Sequence, residues 1–178
     1  KVAHLGHPVI REEAKQVTSE ELASAEIQTL IDDMVETMHE YDGVGLAAPQ
    51  IHVSKQIAVI EVTNNSRYPD RPKVPLTILI NPRIVSRSKK INESWEGCLS
   101  IPDLRGLVPR SHSLVCEVLD RRGKPVTLEA EDFFARVIQH ECDHLQGHVY
   151  LDRMPSLKSL CHLSEFARFW AEGEDSDE

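Results

Sequence analysis

The sequence predicts an α+β fold: mixed or antiparallel strands packed around a central helix, with further helices at the N- and C-terminal ends. Three observations carry this. Short runs rich in Val, Ile and Leu fill the middle of the chain. Segments with apolar residues at helical intervals stand at both ends and interrupt the strand-rich middle. The 178 residues suit one packed domain, expected over 1–171, followed by an acidic tail at 172–178 whose composition predicts disorder.

The elements follow in order. Thr18 and Glu21 have capping-box spacing, and Leu22, Ile27, Leu30, Ile31, Met34, Val35 and Met38 recur at helical intervals, predicting a first helix that ends before Tyr41. Gly43-Val-Gly-Leu-Ala-Ala-Pro-Gln50 reads as a small-residue loop that Pro49 keeps from being helical. Strands are expected at 56–62, 76–80 and 112–119. The last pairs with 125–130 as a hairpin across Asp120-Arg-Arg-Gly123. Segment 62–75 reads as a loop insertion. Residues 131–146 carry Phe134, Val137, Ile138 and Leu145 at helical spacing and stop at Gly147, a good C-cap. A short segment at 149–151 and a last helix from about Ser156 complete the chain.

Composition narrows the function. The net charge of −9 argues against nucleic-acid or anionic-membrane binding driven by charge. No apolar run approaches the roughly 20 residues that span a bilayer, and the N-terminus does not read as a secretion signal. Four separated cysteines in such a chain are expected to be reduced thiols, so a soluble intracellular domain, not a secreted one, is expected.

The strongest chemical signal is His140-Glu-Cys-Asp-His144. At about 100° per residue, His140 and His144 project on one side of a helix, one turn apart, and can share a metal ion. Glu141 lies to one side, able to reach a water on that metal. A carboxylate so placed can take the proton as the water attacks a carbonyl. Polar side chains within an apolar helix are costly to bury unless a metal or other partners satisfy them. Cys142 points to the far side as a packed thiol. A catalytic centre needs a third protein ligand. Tyr150 stands where one protease class has its third histidine, and Glu165, 21 residues after His144, fits another class. Cys98 is the upstream candidate. A closed structural site would instead recruit Cys116 or Cys161 and leave Glu141 without a use.

Three segments decide among these by resemblance. Gly43-Val-Gly-Leu-Ala-Ala-Pro-Gln50, Trp95-Glu-Gly-Cys98-Leu-Ser-Ile-Pro102 and Gln139-His-Glu-Cys-Asp-His-Leu-Gln-Gly147 follow one another in the order of the motifs of peptide deformylases. With Gly6-His-Pro-Val-Ile-Arg11 at the start, the chain resembles that family from about residue 4 to residue 160. The resemblance implies a hydrolase that removes the formyl group from formylmethionine on nascent peptides and releases formate. It implies Cys98, His140 and His144 as ligands of one divalent ion, Fe(II) in the cell with Zn, Ni or Co accepted. It implies Glu141 as general base, with the Gln50 amide and the Leu99 backbone N–H as oxyanion donors. Substrate would lie along Gly43, Val44 and Gly45, with its methionine side chain near Val44, Leu99, Phe133, Val137 and the His140 ring, and Arg105 at the rim. Arg136 departs from an aliphatic residue common at its position; it could narrow the pocket, close its base with charge or snorkel outward, and the last is the expectation. Arg110 and Asp143 are expected as a structural ion pair, and Glu96 as a contact that orients the loop. A cytoplasmic (bacterial-type) or organellar enzyme with transient proximity to the ribosome is implied, although the acidic tail has the wrong sign for RNA.

Overall fold

A computed structural model describes residues 1–63 and 72–171. Helices α1 (Ser19–Leu22) and α2 (Ala25–Glu40) precede strands β1 (Gly45–Ala47), β2 (Ile57–Val62) and β3 (Val74–Arg87). Strands β4 (Ile91–Cys98), β5 (Ile101–Ser111), β6 (Ser113–Leu119) and β7 (Pro125–Glu131) lead into α3 (Asp132–Leu145). Strand β8 (Cys161–His162) and helix α4 (Leu163–Phe169) follow. A five-stranded sheet has the order β1-β2-β3-β6-β7, and a three-stranded sheet the order β4-β5-β8. Every one of these strand pairs is antiparallel. The α+β class is as the sequence predicts.

Strand β2 explains how the helices are arranged. Ala58, Ile60 and Val62 pack with the apolar side of α3, while Ile57 and Val59 pack with Ile27, Ile31, Met34 and Met38 of α2. Successive side chains of a strand point to opposite faces, so α2 and α3 cover opposite faces of the larger sheet. Burial on both faces is why residues 57–60 of β2 read as an unbroken apolar run. Helix α3 lies between the two sheets, touching β1, β2, β6 and β7 on one side and β5 on the other.

The structure corrects several boundaries. The first helix is two. The Thr18–Glu21 capping box forms as expected, but it starts only a four-residue turn. The Ser24 hydroxyl donates to Glu21 O at 2.6 Å and accepts from Ile27 N at 3.3 Å, ending one helix and capping the next. The Gln28 amide takes up the freed Leu22 carbonyl at 2.8 Å. Segment 43–50 is no plain loop. It forms β1 and then a 3-10 turn, Ala48–Ile51, in which Pro49 stands in the first turn, where its missing N–H costs nothing.

Strands β4 and β5 were not predicted. Polar Asn92, Glu93, Ser94 and Glu96 hide the alternation in β4, and Pro102 and Pro109 disguise β5. The last helix begins at Leu163, because Ser156 caps only a 3-10 turn, Leu157–Ser159. Segment 149–151 enters another such turn, Tyr150–Arg153. Most of the expected 62–75 insertion, and the whole 172–178 tail, lie outside the described residues.

Candidate active site

The site is built where β4 ends against α3. The register against β5 shifts between Glu96 and Cys98. Glu96 and Cys98 stand two residues apart, so both point to one face of β4 and serve the same helix. Glu96 accepts from His140 Nδ1 at 2.9 Å, and Cys98 Sγ stands 3.2 Å from His144 Nε2. One ligand atom from each of Cys98, His140 and His144 lies within 4.8 Å of the others. The carboxylate on His140 Nδ1 leaves Nε2 as the nitrogen that ring offers.

This donor set fits a metal ion. Three donors so spaced can converge on one ion with bonds of about 2.0–2.3 Å. Burial alone would push the Cys98 thiol up. The neighbouring His144 charge and hydrogen bonds with His140 and His144 outweigh burial and hold the thiol well below its ordinary value, favouring the thiolate a metal needs. Ser100 N donates to the sulfur at 3.4 Å and Gln50 Nε2 approaches it at 3.6 Å. Among the described residues, no Glu165, Cys116 or Cys161 joins the cluster.

A pocket opens beside these groups. Its lining includes Gly43, Val44, Gly45, Gln50, Leu99, Phe133, Val137, His140 and Glu141, so most of the residues expected at the site share one cavity. Gln50 is buried in the 3-10 turn after β1, its Oε1 accepting from Ala47 N at 2.8 Å. This fixes the amide so that Nε2 faces Cys98 and Ser100. Glu141 is 3% exposed, and burial pushes its carboxyl up to about 7, against the lowering effect of His140 and His144. Gly45 explains how that carboxylate fits. A Cβ at position 45 would lie 2.3 Å from Glu141 Oε1. The expectation of a backbone approach to substrate at Gly45 therefore has a second cause, inside the protein. Gly43 similarly leaves room for Leu99, whose Cδ1 would meet an added Cβ at 3.1 Å.

Sequence reasoning missed how much buried charge supports this pocket. Arg110 Nε and Nη2 pair with Glu96 at 2.9 and 3.0 Å, and Nη1 reaches Asp143 at 2.5 Å. The Arg110–Asp143 pair is thus present, but as part of a network that Arg153 extends to Asp143 at 2.6 Å. Burial opposes ionisation of Glu96, yet Arg110 and His140 hold its carboxyl well below the usual range. Arg136 does not snorkel. It is 6% exposed and turns inward to Glu96, because three acceptors on β4 and β5 offset its desolvation. Arg105 lies outside the pocket lining, buried behind Gly97, where an added Cβ would meet its guanidinium at 2.7 Å. The signal for Glu96 was legible in the Glu-Gly-Cys segment. Arg136 gave one in its position, a single turn before His140.

A family model described as polypeptide deformylase matches residues 1–160. The chain belongs to that family. It is 46% identical over 156 residues to peptide deformylase 2 of Pseudomonas putida, covering 88% of this chain and 83% of that one. Peptide deformylase 1 of Bordetella pertussis is 47% identical over 156 residues, 88% of each chain. Among solved structures, the class I type b peptide deformylase from Acinetobacter baumannii with bound Met-Ala-Ser superposes with a TM-score of 0.84 at 38% identity. That match covers 86% of this chain and 97% of that one. The Thermotoga maritima peptide deformylase gives 0.78 at 36% identity, over 88% and 97%. The chain is therefore a hydrolase of the deformylase family, which removes the N-terminal formyl group from nascent peptides and depends on a metal ion. Among the described residues, no helix is long and apolar enough to cross a membrane.

Proposed function

We propose that Cys98, His140 and His144 hold one divalent ion, Fe(II) in the cell, and that Glu141 is the general base of formyl-group hydrolysis. The convergence of the three donors within 4.8 Å, in the pocket that also holds Glu141 and Gln50, carries this reading. When bound, the ion supplies Lewis acidity toward the formyl oxygen and makes a water acidic enough to lose a proton near neutral pH.

The chain's own residues do the rest. Glu141 takes that proton at its carboxylate and later gives it to the departing amine. A carboxyl pushed up to about 7 by burial is suited to both steps near neutral pH. Gln50 Nε2 and the Leu99 backbone N–H are the donors proposed for the oxygen on which charge develops. Preorganisation of Gln50 by Ala47 N supports its part, since the amide need not reorient during the reaction. Gly43, Val44 and Gly45 are proposed to flank the peptide, and β1 at the edge of its sheet offers a strand for an extended chain to pair with. Val44, Leu99, Phe133 and Val137 form the apolar lining proposed for the methionine side chain.

The wider setting is also a proposal: residues 1–171 act as one catalytic unit in the cytoplasm or an organelle, close to the ribosome while chains emerge. The decisive test is formate release from formyl-Met-Ala-Ser by protein loaded anaerobically with Fe(II) or Ni(II). Rapid release by the wild type and none by Glu141→Ala is expected. Undiminished release by a metal-loaded Glu141→Ala variant would sink the base assignment.

A further inference from the structure

We propose that Arg136 is a positioning residue for the metal centre, fixing the Glu96 carboxylate that orients His140 and bolting α3 to the two strands of the cysteine hairpin. The inference rests on the ligand assignment proposed above.

Each oxygen of Glu96 accepts twice. Oε2 takes Arg110 Nη2 at 3.0 Å and His140 Nδ1 at 2.9 Å, while Oε1 takes Arg110 Nε at 2.9 Å and Arg136 Nη1 at 2.7 Å. Arg110 divides its charge between Glu96 and Asp143. Arg136 supplies the second guanidinium on Glu96, so a fully buried carboxylate faces two cations and one imidazole. With both acceptor sites of Oε1 filled, the carboxylate plane is fixed, and with it the direction from which His140 is held.

Arg136 also reaches the backbone. Nη1 donates to Val108 O of β5 at 2.8 Å, and Nη2 to Asn92 O of β4 at 2.7 Å. A planar fork of fixed donors can satisfy such a set, and a single ammonium cannot. The three elements joined are the helix carrying His140 and His144, the strand carrying Glu96 and Cys98, and the strand paired with it. Arg136 precedes His140 by four residues, so both project from the same side of α3. The same side chain forms part of the pocket wall beside Val137. Relative movement of α3 and β4 would separate Cys98 from the histidines, and the guanidinium opposes that movement.

The test compares metal-free wild type with Arg136→Leu, Arg136→Lys and Cys98→Ala, titrated with Ni(II) against a competing chelator, with thermal unfolding recorded on the metal-free proteins. Partners behind a ligand typically change metal affinity about 10–100-fold. That weakening is expected for Arg136→Leu in a protein that still unfolds cooperatively, with an intermediate constant for Arg136→Lys. A melting loss in Arg136→Leu with Ni(II) affinity within about twofold of wild type would overturn the proposal and leave Arg136 a purely structural residue. If Arg136→Leu does not fold, Arg136→Lys decides. Its affinity should fall by about threefold or more, and a wild-type constant would overturn the proposal. Ni(II) held equally by Cys98→Ala would instead overturn the ligand assignment, and the inference with it.

Discussion

Helix α3 is buried on two sides that are opposite in chemistry. Toward the five-stranded sheet, Ala135, Ile138, Cys142 and Leu145 pack among Ala58, Ile60, Leu79, Leu114 and Cys116. Toward the cysteine hairpin stand Arg136, Gln139, His140 and Asp143, each engaged by a partner in the smaller sheet or the turn after the helix: Glu96, Ser111, Arg110 or Arg153. The apolar side gains from leaving water and tolerates small changes of shape. The polar side offsets desolvation only while every partner is present, since a half-satisfied network costs more than an apolar one. One helix thus carries a forgiving face that anchors it and an unforgiving face that works.

The largest effect should fall on activity and spare stability. Replacing Glu141 by Gln removes the proposed base, and turnover of a formyl peptide should drop about 10²–10⁴-fold. Among the described residues Glu141 Oε2 is buried with no hydrogen-bond partner, so exchanging the carboxyl for an amide of the same size should leave the thermal midpoint equal to wild type or slightly higher. A large drop in the midpoint would mean that Glu141 belongs with the structural half of the polar face.

Next comes the network itself. Arg110→Leu strands Glu96 and Asp143 without a shared cation, and breaking one side of a buried pair costs about 3–5 kcal/mol. Urea unfolding of the metal-free protein should show this. A loss below 1 kcal/mol, the scale of an exposed pair, would erase the contrast between the two faces. On the apolar face, Ile138→Val should cost about 0.5–1.5 kcal/mol with activity retained. A loss of turnover exceeding tenfold there would show that the anchoring face also sets the geometry of the site.

The same contrast governs what the sequence could reveal. Apolar periodicity located α2, α3, β2, β6 and β7, because a face that packs by area repeats with the period of its element. His140, Glu141 and His144 were legible from helical spacing alone, and Cys98 and Gln50 from the motifs of the resemblance. Strand β4 was not legible, because its inward residues are Glu96 and Cys98, which a search for apolar alternation passes over. Arg136 was misjudged for a related reason. A lone cation on a helix is ordinarily solvated, and its three acceptors come from residues 92, 96 and 108, distant in sequence. The break at Ser24 depends on a hydroxyl that both donates and accepts, and propensity does not register that.

The smallest expected effect lies outside both faces and sharpens the contrast by scale. Asp152 follows α3 in the 3-10 turn, accepts from Val149 N at 2.8 Å and pairs with Arg11 at 2.5 Å. Burial raises its pKa, but the Arg11 hydrogen bond and Val149 N together outweigh this and hold it below the ordinary value. A carboxyl depressed in the folded state stabilises the protein above its unfolded value, roughly 3.9. That contribution disappears as pH falls through the folded value, where both states bind the proton. Asp152→Asn should therefore cost less than about 1 kcal/mol at pH 7, as expected for a pair this exposed. The difference from wild type should shrink as pH falls below 4. A cost that stayed constant down the acid range would assign the effect to the Val149 cap and not to charge. A cost rivalling that of Arg110→Leu would mean that exposure does not separate weak pairs from strong ones in this molecule.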